Sequence, residues 1–198
     1  MNTISDKIIK RIQRKGRGWT FSTVDFQDLG SRKTVEQNLI RLVKGGEIRR
    51  VIRGIYDYPK ISRFGEMPPN PYSVALALAR NTGEDIQVTE SRAVNALGLS
   101  NQVPAKIIYY TNGTTRKRKV GNQVIIFKRA PKKVIGSGKM AGLVIQAIRY
   151  YGSTNINQSI LNRIAEKIKT EDLMELKKEK MNVPVWLQES IDQLIAQA

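Results

Sequence analysis

The chain contains no cysteine and no histidine among its 198 residues. That excludes disulfide cross-links, thiolate nucleophiles, imidazole bases and zinc sites built from those ligands. Most common catalytic constellations go with them, and metal chemistry would have to rest on carboxylates, which are scarce where the chain is most basic. No apolar run approaches the roughly 20 residues of a membrane-spanning helix. The first residues alternate charge with isoleucine and form no signal-peptide core. The expectation is a cytoplasmic protein without metal, cofactor, membrane partner or enzymatic activity.

Acidic residues are also few, with 17 Asp and Glu against 34 Lys and Arg and a formal charge of +17. The excess is uneven: 14 minus 6 over 1–60, 14 minus 4 over 61–150, and 6 minus 7 over 151–198. Two separate basic regions suggest an extended contact with a polyanion. The apolar share, 40%, is ordinary for a folded chain of one or two domains.

Among the residues present, 31–58 (SRKTVEQNLIRLVKGGEIRRVIRGIYDY) are the most informative. Turned at the helical period, Val35, Leu39, Leu42 and Val43 form one stripe. Arg32, Lys33, Thr34, Gln37, Arg41 and Lys44 supply the polar side. Ser31 is the N-cap candidate and Gly45-Gly46 the stop signal. Ile48, Val51 and Ile52 lead to Arg53-Gly54, then to Ile55, Tyr56 and Tyr58, which predicts a hairpin closed by Pro59. Its arginines, Arg49, Arg50 and Arg53, suit phosphate contacts.

The preceding segment supplies matching parts. Ile4, Ile8, Ile9 and Ile12 predict a helix capped by Thr3 or Ser5 and ended by the glycines at 16 and 18. Trp19, Thr20 and Phe21 read as a short strand. Ser22 opens a second helix, with Asp25 at the capping-box position and Phe26 and Leu29 facing a core. A basic amphipathic helix alone is as easily a solvated face. Helix, strand, helix, turn, helix and hairpin, however, is the order of a winged helix-turn-helix, and with the charge it points to double-stranded DNA.

Residues 61–70, running into Met67-Pro68-Pro69-Asn70-Pro71, read as a Pro-rich linker between domains at 1–60 and 71–198. Asn70-Pro71 caps a buried helix through Val74, Leu76, Ala77 and Leu78. A short strand follows over 86–89, then a helix led by Thr89 or Ser91 through Ala93, Val94 and Leu97 to Gly98. Strands at 106–111, 115–120 and 123–129, with Asn112-Gly113 and Gly121-Asn122 between them, predict an antiparallel meander.

The middle strand carries Arg116, Lys117, Arg118 and Lys119, charged on both faces, so it belongs at an exposed edge or on a projecting hairpin. These charges either guard the edge against pairing or join Lys128, Arg129, Lys132 and Lys133 in a patch for an anionic partner. Helical stripes follow: Leu143, Val144, Ala147, Ile148 and Tyr151; then Ile160, Leu161, Ile164 and Ile168; then Leu173 and Leu176; then Ile191, Leu194 and Ile195. Trp186 reads as a packing anchor. The fold class is α+β: a winged helix-turn-helix, then a mixed domain with an antiparallel meander and C-terminal helices.

Two enzyme-like fragments fail on inspection. Gly136-Ser137-Gly138-Lys139 resembles part of a phosphate-binding loop, but Lys133 and Met140 replace the required glycine and hydroxyl residue. Glu175-Leu176-Lys177 has an acid-x-Lys spacing found in some nucleases, yet it sits among helical charges at solvated-face spacing.

The winged portion QNLIRLVKGGEIRRVIRGIYDYP, the Pro-rich join and VTESRAVNALGLSNQVPAKIIYYTNG with its basic hairpin resemble AbiEi-type antitoxins of abortive-infection, type IV toxin-antitoxin systems. The similarity runs from about residue 5 to residue 150, and 88–113 is its more specific part. The resemblance implies a cytoplasmic repressor whose N-terminal domain binds inverted repeats upstream of its own operon. Its second domain would oppose a co-encoded nucleotidyltransferase-like toxin, without necessarily forming a stable complex with it. Lys33, Thr34, Gln37 and Arg41 match the family's recognition face, and Arg49, Arg50 and Arg53 its basic wing. For the antitoxin domain only a positive surface transfers, here Arg116, Lys117, Arg118, Lys119, Lys128 and Arg129. Alternatives are a winged-helix regulator without an antitoxin role, an RNA-binding protein, or a nuclease using the second basic region.

Overall fold

The first helix, α1 (Ile4–Lys15), begins where Thr3 accepts a hydrogen bond from the Asp6 N–H and ends at Gly16, whose φ is +86°. The structure, a computed structural model, describes residues 3–102, 104–131, 134–135 and 139–197. After α1 come β1 (Thr20–Phe21), a 3-10 helix (Thr23–Leu29), α2 (Arg32–Lys44), β2 (Arg49–Ile52) and β3 (Ile55–Asp57). The three strands form an antiparallel sheet in the order β1-β3-β2. The segment opened by Ser22 is thus a 3-10 turn and not an α-helix, with Phe26 off helical geometry at φ −132°. Phe26 is fully buried and meets Phe21 edge-on at 5.6 Å, a placement won by aromatic packing over helical regularity.

Contacts divide the chain into two compact units, Met1–Glu84 with Arg118–Ile125, and Asp85–Lys117 with Ile126–Ala198. The first is built on Ile8, Ile12, Phe21, Phe26, Val35, Leu39, Leu42, Ile48 and Tyr56, with Trp19 packed against them. This core uses the expected stripes of both helices. The division does not fall at 61–70, the segment anticipated as a linker. That segment instead folds into a small hairpin, β4 (Ile61–Ser62) and β5 (Gly65–Glu66). The helix after it, α3 (Pro71–Thr82, N-cap Asn70), belongs with the first unit. Arg80 of α3 donates to Asp25 and to the Thr20 carbonyl, both at 2.9 Å, which ties the helix to β1 and the 3-10 turn.

The second unit holds β6 (Ile86–Val88), α4 (Glu90–Ala96), β7 (Ile107–Thr111) and four C-terminal helices, α5 (Lys139–Asn155), α6 (Gln158–Ala165), α7 (Thr170–Glu179) and α8 (Val185–Gln197). Helix α5 bends at Gly152, whose φ is +71°. A hairpin of β8 (Arg116–Val120) and β9 (Gln123–Arg129) completes a four-stranded sheet, its turn end grouped with the first unit. The strand order is β6-β7-β9-β8, which corrects the expected meander: β9, not β8, lies beside β7. The reason is side-chain chemistry. Strand β9 buries Ile125 and Phe127, whereas the residues 116–119 of β8 cannot enter a sheet interior without stranding their charges. The edge position expected for β8 is the one it takes.

Helix α5 packs closely against the second unit's sheet at Gly142, where a methyl group would fall 2.2 Å from Oε1 of the buried Gln87. Gly142→Ala is therefore expected to lower the unfolding free energy by about 1–3 kcal/mol, as overpacking does. Urea denaturation reads the loss, and an unchanged midpoint would mean that Gln87 yields without cost. Among the described residues, no helix is long and apolar enough to cross a membrane. The mixed helix and sheet composition thus matches the broad α+β expectation.

Candidate nucleic-acid interface

Helix α2 carries the largest group of expected contact residues, and its start is fixed by Ser31, whose Oγ accepts from the Thr34 N–H at 3.2 Å. Val35, Asn38, Leu39 and Leu42 are buried beneath it. Asn38 satisfies its side chain within the helix by donating to the Thr34 carbonyl at 2.8 Å. Arg32, Lys33, Gln37, Arg41 and Lys44 are exposed. Thr34 is half-buried and its hydroxyl is engaged with Ser31 at 2.8 Å, so it serves the cap before any partner. Two residues absent from the expected set share the outward face, Glu36 and Ile40, the latter 42% exposed. Continuing the helical period from Lys33 places Ile40 between Gln37 and Lys44, a position that spacing marks although it carries no charge.

The β2–β3 hairpin divides its arginines. Arg50 and Arg53 are exposed, and Gly54 takes φ +79° in the turn between the strands. Arg49 does not join them. It stands opposite Asp57 in the register and makes a two-pronged pair with that carboxylate at 2.7 and 3.1 Å. It also reaches Glu66 at 3.1 Å and the Met67 carbonyl at 2.9 Å. The Asp57 side chain is 2% exposed, so Arg49 neutralises a buried charge and clamps β5 to the sheet. Hydrogen bonds donated to the Asp57 carboxylate hold the Arg49 guanidinium above its ordinary pKa. The side chain expected to contact phosphate is thus engaged in ion pairs with Asp57 and Glu66.

The second basic group is less uniform than its sequence. Arg118 and Lys119 fall in the first unit, and Arg116, Lys117, Lys128 and Arg129 in the second. Arg116 is half-buried with its guanidinium 4.3 Å from the centre of the Phe127 ring, a packing role. Lys117, Arg118, Lys119, Lys128 and Arg129 are exposed. Lys132, Lys133 and the loop-like glycines at 136 and 138 lie outside the described residues. Glu175 and Lys177 are exposed on α7 while Leu176 is buried, the pattern of a solvated helix face.

The second unit also places Tyr110 where its hydroxyl bonds the Glu90 carboxylate at 2.9 and 3.0 Å. Burial, reinforced by that carboxylate, pushes the phenol up to about 12. Among the described residues no cluster of three acidic side chains stands ready to hold a metal ion.

A sequence model described as "Family of unknown function (DUF6088)" matches residues 7–176. No curated protein matches the chain. Among solved structures, the crystal structure of the RV2827C protein from Mycobacterium tuberculosis is similar at a TM-score of 0.44 and 10% identity, covering 98% of this chain and 76% of that one.

Proposed function

For a chain that belongs to the DUF6088 family, we propose a sequence-specific DNA-binding function carried by a winged helix-turn-helix in the first unit. The observation behind it is the outward face of α2, with Lys33, Gln37, Arg41 and Lys44 exposed over a buried stripe, followed by a hairpin exposing Arg50 and Arg53. Phosphate neutralisation supplies most of the affinity. Gln37 is suited to adenine, Arg41 or Lys33 to guanine, and Ile40 to a thymine methyl group.

Selection of duplexes from a randomised library tests the assignment. Gln37→Ala is expected to relax preference at one base position by about 1–3 kcal/mol, while Arg50→Ala weakens all sequences alike. Unchanged preference in the Gln37 variant would remove it as a reader.

The antitoxin half of the proposal rests on the resemblance of 88–113 and its neighbours to AbiEi-type antitoxins. In this reading the chain represses its own operon in the cytoplasm through inverted repeats and counteracts a co-encoded nucleotidyltransferase-like toxin. Co-expression of the full chain with the neighbouring gene tests that half separately: rescue from growth arrest supports it, and continued arrest leaves a repressor without antitoxin activity.

A further inference from the structure

Nine large apolar side chains stand exposed among the described residues, and three of them, Ile61, Phe64 and Met67, fall within seven consecutive positions. Single exposed apolar residues need no explanation, but this concentration on one small hairpin does. Phe64 is 85% exposed, the highest value of the nine, at the tip of β4–β5. The guanidinium of Arg63 lies 4.6 Å from the centre of its ring. Ser62 braces the turn by accepting from the Phe64 N–H and donating to the Gly65 carbonyl, both at 3.1 Å. The base is closed by the Met67 N–H on the Lys60 carbonyl at 2.8 Å.

Two features separate this tip from a disordered apolar loop. Arg49 binds Glu66 on β5 and Asp57 on β3, so the hairpin is held beside the β2–β3 hairpin that exposes Arg50 and Arg53. Glu66 is thereby committed, and among the described residues no carboxylate pairs with Lys60 or Arg63. The tip is consequently cationic and aromatic at once. An arginine with an apolar side chain is the chemistry that enters the DNA minor groove, where cations meet enhanced negative potential and apolar residues press against sugars or between base steps.

Resting on the DNA-binding reading above, we propose that Arg63 and Phe64 form a second duplex contact that enters the minor groove beside the site read by α2. The clamp role of Arg49 then has a functional consequence: it fixes the second contact relative to the first.

Equilibrium binding of the full chain to a library-selected duplex, with hydroxyl-radical footprinting, tests this. Phe64→Ala is expected to weaken binding about 5–10-fold, within the range of a lost groove contact, and to remove protection at one edge of the footprint. Arg63→Ala is expected to lower the salt slope by about one phosphate contact. Both residues are exposed, so neither change should alter the melting temperature. Wild-type affinity and footprint in both variants would overturn the second contact while leaving α2 as the reader. A variant that changes only the mass in solution would assign the tip to a second copy of the chain and overturn it equally. Failure of the unmodified chain to bind any duplex would instead remove the DNA-binding reading itself.

Discussion

Arg49→Ala is expected to cost about 3 kcal/mol of folding stability, because the Asp57 carboxylate would remain buried without its partner. That carboxylate is 2% exposed and receives two hydrogen bonds from Arg49, whose other contacts join β5 to the sheet. An exposed pair would be worth less than about 1 kcal/mol, so denaturant unfolding separates the two readings clearly. Adding Asp57→Asn to the alanine variant should restore part of the loss, since it removes the uncompensated charge. A double-mutant cycle measures the coupling. A loss below about 1 kcal/mol for Arg49→Ala would mean water reaches Asp57 and the clamp is weak.

Combined replacement of Lys33 and Arg41 by alanine is expected to reduce affinity for a selected duplex by about 30-fold or more. Each lost contact to a base edge or phosphate contributes about 1–3 kcal/mol, and the two lie on one exposed face. Stability should change by no more than about 0.5 kcal/mol, because neither side chain reaches the core. Fluorescence anisotropy at matched salt reads the affinity, and thermal melting the control. Retained affinity with intact folding would move the interface away from α2.

How much of this was legible in the sequence depended on whether the deciding partner was local. The stripe Val35, Leu39, Leu42 is a local period, and it became the buried side of α2. The charges at 116–119 required an edge, and β8 is an edge strand. Which strand would lie beside β7 was not local. Turn signals at 112–113 and 121–122 suggested consecutive pairing, whereas burial of Ile125 and Phe127 drew β9 between β7 and β8. The pairing of Arg49 with Asp57 is hidden in the sequence for a related reason. Its type and neighbours suit a phosphate contact, and counting back from the Arg53-Gly54 turn would set Arg50 opposite Asp57; the irregularity between Arg50 and Ile52 shifts the register so that Arg49 meets that carboxylate.

Prolines dominate the end of the segment 61–70, which favours a spacer. Its first six residues instead contain Ser62 and Gly65 in positions that support a tight turn, Gly65 taking φ +100°. Two consequences follow: α3 belongs with the first unit, and an aromatic-cationic tip is presented beside the arginine hairpin. Neither follows from composition, since a two-residue strand carries too little periodicity to be recognised.

The most direct measurement is a backbone amide NMR titration of the full chain with a library-selected duplex. Shifts are expected to concentrate at Lys33, Gln37, Ile40 and Arg41 on α2 and at Arg50 and Arg53 on the following hairpin, the pattern of a duplex read by α2. Perturbations confined to residues 116–129, with α2 unmoved, would contradict it.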